Sequence, residues 1–128
     1  MHKRILIVED DADSRSLLVR MIQDFGYDTI EANSGNEAIE KTLSEKPDLI
    51  IMDLDLPGMS GLDAARVIKE DPSTAQIPMI AYTAFPPQTC EKEAFSIGMV
   101  EYLQKPVSWK LIKITLEKYL AAAVLDSK

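Results

Sequence analysis

Five polar residues stand directly after short apolar runs, where together they could act on a phosphoryl group. A carboxylate can attack phosphorus and form an aspartyl phosphate, and carboxylate oxygens are also the ligands that Mg²⁺ prefers. An amine and a hydroxyl can bind the phosphoryl oxygens and offset their negative charge. These residue types therefore favour a magnesium-assisted phosphoryl-transfer site. The five residues are Glu9, Asp10, Asp53, Thr83 and Lys105.

Each of these residues also has an ordinary structural explanation. Asp53 could start a turn, and Asp10 with Asp11 could form a helix-start cluster that the helix dipole favours. Thr83 could cap a strand end, and Lys105 could be a surface lysine. Because all five stand at the corresponding ends of four predicted strands, a shared site explains them better than separate coincidences do.

The elements that must position these residues alternate along the chain as five strand–helix units. Four strands are short, mostly apolar runs, and Asp28–Ala32 is a weaker candidate around Thr29 and Ile30. Each is followed by apolar residues at helical spacing. Parallel strands need crossover helices, so the pattern predicts a parallel sheet with helices on both faces. The carboxyl ends of such strands meet at one edge, where open sheets bind ligands. The predicted strands are Ile5–Val8, Asp28–Ala32, Leu49–Met52, Pro78–Tyr82 and Val100–Leu103.

Composition restricts the classes of function. The chain has 128 residues, the length of one ordinary domain, with 46% hydrophobic and 27% charged residues. Its net charge of −7 argues against direct binding to nucleic acid or to an anionic membrane surface. Cys90 is the only cysteine, which excludes an internal disulfide and favours a reducing compartment. With no signal peptide and no segment able to span a membrane, we expect a cytoplasmic protein.

Four motifs together resemble those of the bacterial response-regulator receiver domain, in particular the single-domain chemotaxis and cell-cycle regulators. They are ILIVEDD (5–11), PDLIIMDLDLPGMSGL (47–62), IPMIAYTA (77–84) and EYLQKP (101–106). The resemblance implies that residues 1–128 form one receiver domain. It further implies a flavodoxin-like α/β fold with five helices and a doubly wound parallel sheet of strand order 2-1-3-4-5.

The resemblance also assigns a phosphoacceptor and a metal site. It implies that Asp53 accepts the phosphoryl group. Asp10, Asp53 and the backbone carbonyl of Asp55 would hold Mg²⁺, with Glu9 acting through a bound water.

The remaining site residues follow from the same resemblance. Thr83 and Tyr102 match the switch pair of the family, and Lys105 matches its phosphate-binding lysine. The Lys105–Pro106 peptide bond is expected to be cis. In the switch so implied, the Thr83 hydroxyl moves towards the phosphoryl group and Tyr102 rotates into the space that it leaves.

The function that the resemblance implies is phosphorelay signalling rather than turnover of a substrate. A sensor histidine kinase or a histidine phosphotransfer protein would supply the phosphoryl group, and the domain would catalyse its own phosphorylation and dephosphorylation. A downstream protein would bind the fourth helix, fifth strand and fifth helix, roughly residues 89–120, and a homodimer could use the same face. Aromatic and basic contacts suited to an interface come from Tyr102, Trp109, Lys110 and Lys113.

Phe85, followed by Pro86 and Pro87, occupies the loop after the fourth strand. A bulky apolar residue beside a stiff loop could hinder an in-line attacking water and prolong the phosphorylated state. Alternatively, the ring packs outward and never covers the site. The sequence leaves both possibilities open.

Two other classes of function stay open at this point. Asp53 and Asp55 after an apolar run also resemble the nucleophile motif of haloacid-dehalogenase-type phosphatases, although those enzymes carry the motif near the N-terminus. The chain could also be a phosphorylation-independent interaction module, against which the complete set of site residues argues.

Overall fold

The computed structural model describes residues 2–126, which form five strands and five helices in strict alternation. The strands are β1 (Arg4–Val8), β2 (Asp28–Ala32), β3 (Leu49–Met52), β4 (Met79–Thr83) and β5 (Glu101–Gln104). The helices are α1 (Ala12–Asp24), α2 (Gly35–Glu45), α3 (Gly61–Glu70), α4 (Pro87–Ile97) and α5 (Trp109–Asp126). The predicted elements are confirmed, although β4 and β5 each begin and end one residue later than expected and β1 begins one residue earlier.

All strand pairings are parallel, and the strand order is β2-β1-β3-β4-β5. The predicted flavodoxin-like order is therefore correct. In the register of β1 and β3, Val8 lies opposite Met52. The residues that follow these two strands consequently leave the sheet side by side.

Two apolar cores cover the two faces of the sheet. Successive strand residues point to opposite faces, so the apolar residues of β1 and β3 alternate between the two cores. Leu6, Val8, Ile50 and Met52 pack in the core under α2, α3 and α4, which is called the α2–α4 core below. Ile5, Ile7, Leu49 and Ile51 pack in the core under α1 and α5.

Side-chain caps begin the first three helices close to the site. Asp11, Ser34 and Ser60 each accept a hydrogen bond from a backbone N–H in the first turn of α1, α2 and α3, respectively. The α4 helix has no side-chain cap and starts at the proline pair, with Pro86 before its first residue. Proline is favoured at this point because its fixed φ suits a helix start.

Trp109, at the start of α5, does not lie on the face predicted for it. Trp109 is 53% exposed and lines a groove of about 340 Å³ together with residues of α1 and its C-terminal cap. Leu17, Met21 and Phe25 supply most of the apolar wall. The placement of Trp109 in the α4–β5–α5 surface is therefore wrong, because this part of α5 faces α1.

None of the helices within residues 2–126 combines the length and the apolar character needed to cross a bilayer.

Candidate functional site

Three carboxylates converge at the C-terminal edge of the sheet. Glu9 and Asp10 follow β1, Asp53 follows β3, and the Asp53 N–H donates to the Val8 carbonyl at 3.1 Å. One carboxylate oxygen from each of the three acids lies within 4.8 Å of the others. Glu9 and Asp53 are buried and Asp10 is exposed. This oxygen donor set, with one open side, suits a hard divalent cation such as Mg²⁺.

Lys105 connects two of these carboxylates. Its Nζ donates to Glu9 Oε1 at 2.6 Å and to Asp53 Oδ2 at 2.9 Å. The same ammonium lies 5.0 Å from the centre of the Tyr82 ring. Burial lowers the pKa of Lys105, but its hydrogen bonds to the two carboxylates and their negative charge outweigh burial, and the pKa is raised above its ordinary value. The lysine is therefore a fixed positive charge at the site.

The other oxygens of these acids accept backbone hydrogen bonds. Asp53 Oδ1 accepts from the Asp55 N–H at 2.9 Å, and Glu9 Oε2 accepts from the Asp11 N–H at 3.2 Å. Each side chain is therefore held from two directions. Such positioning favours a reaction at a defined carboxylate oxygen, since little reorganisation is then needed.

Gly61 allows α3 to start directly on the Asp53 backbone. A Cβ atom added at Gly61 would lie only 2.1 Å from the Asp53 carbonyl oxygen. Sequence reasoning gave Gly61 no role, although a glycine directly after the capping Ser60 was a signal of close approach.

Arg15 is a second residue near the site that sequence reasoning missed. Its Nη1 donates to the Glu9 carbonyl at 2.7 Å, and its Nε donates to Glu31 Oε1 at 3.0 Å. These contacts hold the acidic segment after β1 against α1 and β2. Glu31, on β2, could be read from the sequence. Its ion pair with Arg15 could not, because that contact depends on β2 lying beside β1 in the sheet.

The proposed switch residues lie on either side of the loop after β4. Thr83 is fully buried, and its Oγ1 accepts from the Phe85 N–H at 3.4 Å. The Tyr102 hydroxyl donates to the Phe85 carbonyl at 2.9 Å and lies 3.1 Å from Cys90 Sγ. Burial first, and then the hydrogen bond with Cys90, raise the pKa of the Tyr102 phenol. One loop thus connects Thr83 and Tyr102.

Two further features of this edge answer points that the sequence raised. The Lys105–Pro106 peptide bond is cis. The Phe85 ring is partly buried and packs against the α2–α4 core instead of pointing outward. Of the two placements that the sequence left open for Phe85, the outward one therefore does not occur.

The fold and the acidic edge are those of a signalling receiver. Residues 5–117 match the family model of the response regulator receiver domain. The chain belongs to this family, whose members are signalling proteins of phosphorelays. The chain is 37% identical over 123 residues to the polar-differentiation response regulator DivK of Brucella ovis, covering 96% of this chain and 100% of the relative.

Solved structures agree with this assignment. The chemotaxis protein CheY4 of Vibrio cholerae superposes with a TM-score of 0.88 at 25% identity, covering 94% of this chain and 100% of that chain. The receiver domain of a Pseudomonas aeruginosa sensor histidine kinase gives a TM-score of 0.87 at 27% identity, covering 94% and 99%. That structure holds a magnesium ion in its active-site cleft. The family assignment removes the dehalogenase-type phosphatase alternative.

Proposed function

We propose that this chain accepts a phosphoryl group on Asp53 in a Mg²⁺-dependent reaction and thereby switches a partner-binding surface. The observation that supports this most strongly is the double contact of Lys105 with Glu9 and Asp53. A buried carboxylate that shares one fixed cation with a second acid suits a nucleophile whose product carries extra negative charge.

The donor is a phosphohistidine on a sensor histidine kinase or a histidine phosphotransfer protein. A carboxylate oxygen of Asp53 attacks the phosphorus, a phosphorus–oxygen bond forms, and the phosphorus–nitrogen bond of the donor breaks. The leaving imidazole keeps the electron pair of that bond and takes a proton. Lys105 exchanges its contact with the Asp53 carboxylate for one with a phosphoryl oxygen.

The metal-binding role belongs to the acids already described. Asp10, Asp53 and the Asp55 backbone carbonyl would hold the ion, and Glu9 would act through a bound water. When bound, Mg²⁺ supplies positive charge that offsets the charge on the phosphoryl oxygens. The domain catalyses its own phosphorylation and dephosphorylation with these residues.

Thr83 and Tyr102 pass the local change in charge to the surface. The Thr83 hydroxyl turns towards the phosphoryl oxygens and gives up its contact with the Phe85 N–H. Because the Phe85 carbonyl also accepts from Tyr102, movement of this loop changes the support of the Tyr102 ring. This is a two-state element biased by one charged group.

The surface that changes is formed by α4, β5 and α5. Exposed apolar side chains here suit a protein partner; they are Phe95 on α4, Leu111 and Ile114 on α5, and Val100 just before β5. Our proposal includes a downstream protein as the occupant and a homodimer through the same face. It also includes a single receiver domain over residues 1–128 and a cytoplasmic location, which the lone cysteine supports.

The test is intact-mass spectrometry after incubation with acetyl phosphate. We expect one added phosphoryl group with Mg²⁺ and none with excess EDTA or in Asp53→Asn. Asp55→Asn is the matched control, since only its backbone is assigned a role, and it should still be labelled. A chain that stays unlabelled while a known receiver is labelled under the same conditions would favour the phosphorylation-independent interaction module.

A further inference from the structure

Tyr102 Oη lies where three elements meet. Tyr102 belongs to β5, Cys90 to α4 and Phe85 to the loop after β4. The hydroxyl oxygen is 3.1 Å from Cys90 Sγ, 2.9 Å from the Phe85 carbonyl oxygen and 3.5 Å from the Pro86 carbonyl oxygen. A single phenol therefore links the strand, the helix and the loop that the proposed switch involves.

The number of hydrogens decides the direction of these bonds. A tyrosine hydroxyl has one hydrogen, and at 2.9 Å the Phe85 carbonyl is the better acceptor for it. The phenol oxygen still has acceptor capacity, and the thiol of Cys90 has one hydrogen to donate. The thiol therefore donates to Tyr102 Oη, and a chain of two hydrogen bonds runs from α4 through the phenol to the loop.

Burial makes this arrangement specific. Cys90 is only 8% exposed, and the Tyr102 ring packs against the same α2–α4 core as the Phe85 ring. An ordinary explanation is that Cys90 is a small apolar residue filling this core. Packing alone does not require the sulfur to face the phenol oxygen at hydrogen-bond distance.

We propose that Cys90 is a positioning residue for Tyr102: its thiol holds the phenol hydroxyl on α4 and so stabilises the ring position in which Tyr102 also contacts Phe85. The proposal rests on the function proposed above, in which Tyr102 is a switch residue. It adds a residue of α4 that sets the balance between the two ring positions. A tyrosine that leaves its place must break the bond from Cys90 as well as the bond to Phe85.

The test is fluorine NMR of the full chain labelled with 3-fluorotyrosine, with and without Mg²⁺ and beryllofluoride. The chain has four tyrosines, and the Tyr102→Phe variant assigns the Tyr102 signal by its loss. In Cys90→Ala we expect the Tyr102 signal to shift. The ratio of the two ring positions should change about two- to threefold, which corresponds to the lower end of the free energy of a typical hydrogen bond. Cys90→Ser, which keeps a donor, should restore the wild-type signal.

Two further variants separate the hydrogen bond from packing. Cys90→Val fills the site without a donor and should behave like Cys90→Ala. Ser96→Ala removes a small polar group from the exposed side of α4 and should leave the Tyr102 signal unchanged. The proposal is overturned if Cys90→Val matches the wild type, or if Cys90→Ser and Cys90→Ala move the signal equally.

The two proposals fail in different ways. If beryllofluoride leaves the Tyr102 signal of the wild type unchanged, the switch role of Tyr102 is wrong. The hydrogen bond from Cys90 is tested separately, by comparing the Cys90 variants without beryllofluoride. Absence of any difference there removes the positioning role, even when phosphorylation proceeds normally.

Discussion

Gly61 and Asp53 are in direct backbone contact, and a Cβ atom at Gly61 would lie 2.1 Å from the Asp53 carbonyl oxygen. Gly61→Ala must therefore push the first turn of α3 away from the phosphoacceptor segment. We expect a loss of about 1–3 kcal/mol in the free energy of unfolding, the usual cost of overpacking, and slower phosphorylation by acetyl phosphate.

Gly58→Asn is the matched control for Gly61→Ala. Gly58 has a φ of +75° and open space around its Cβ position, and asparagine tolerates this conformation. Denaturant melts and labelling rates should show little change in this variant. Equal effects of the two substitutions would contradict the close-contact argument.

Lys105→Met should destabilise the protein, because the buried carboxylates of Glu9 and Asp53 lose their shared cation. The lysine side chain is 24% exposed. We therefore expect about 1–3 kcal/mol, below the cost of breaking a fully buried ion pair. Mg²⁺ should recover more stability in this variant than in the wild type, since the lysine no longer competes for the same oxygens. A variant as stable as the wild type without metal would contradict this account.

The difference in stability between the wild type and Lys105→Met should depend on pH in a known direction. The pKa of Lys105 is raised in the folded protein, so its stabilisation is complete below the unfolded value of about 10.4. It is lost as the pH rises through the folded pKa. The stability gap between the wild type and Lys105→Met should therefore stay constant up to about pH 10 and close above it.

Lys69→Met is the matched control, because the pKa of Lys69 is shifted in the opposite direction to that of Lys105. Lys69 donates to two backbone carbonyls, and burial lowers its pKa. Its charged form is penalised in the folded state, and this penalty disappears as the pH rises from the folded pKa to the unfolded one. The wild type should gain stability relative to Lys69→Met in that window. Parallel pH profiles for the two variants would refute the assignment.

Asp10→Asn should weaken Mg²⁺ binding, because a charged ligand is lost. Substitutions of residues that only hydrogen-bond a metal ligand typically lower the affinity for the metal about tenfold. We therefore expect calorimetry to show at least a tenfold loss of Mg²⁺ affinity when a ligand itself is replaced. Without metal the variant should be slightly more stable, since repulsion among the acids falls. The gain should be below about 1 kcal/mol because Asp10 is exposed.

Asp11→Asn is the control for Asp10→Asn. Asp11 caps α1 by accepting from the Ser14 N–H, and asparagine keeps that cap. Its affinity for Mg²⁺ should stay near that of the wild type. A metal-free denaturation midpoint of Asp10→Asn below that of the wild type would disprove the repulsion argument.

Phe85→Ala and Phe85→Glu should speed the loss of the phosphoryl group if the loop restricts water. We expect a severalfold effect for alanine and on the order of tenfold for glutamate, which can hydrogen-bond an attacking water. Phe95→Ala, on an exposed part of α4, is the control, and Thr83→Ala should weaken the switch instead. Unchanged decay of the phosphorylated protein in both Phe85 variants would eliminate shielding.

Much of the fold could be predicted from the sequence because β1, β3 and β4 are mostly apolar runs with turn or cap residues after them. The same regularity placed Glu9, Asp10 and Asp53 at one edge, since neighbouring parallel strands end together. The caps at Ser34 and Ser60 were predictable because they depend on residues only three positions apart.

Contacts between distant side chains were beyond sequence reasoning. Lys105 is 96 residues from Glu9 and 52 from Asp53, and only the packed rotamer shows that one ammonium serves both. The contact of Cys90 with Tyr102 likewise depends on how α4 lies against β5. Trp109 was misplaced for the same reason, because the rotation of α5 follows from its packing and not from the aromatic residue itself.

The most direct measurement is the location of the phosphoryl group. Treatment of the labelled protein with borohydride reduces an aspartyl phosphate to homoserine, which tandem mass spectrometry locates in a peptide. We predict homoserine at position 53, only after incubation with both Mg²⁺ and acetyl phosphate. Homoserine at position 10, 11 or 55, or at position 53 without Mg²⁺, would contradict Asp53 as the magnesium-dependent phosphoacceptor.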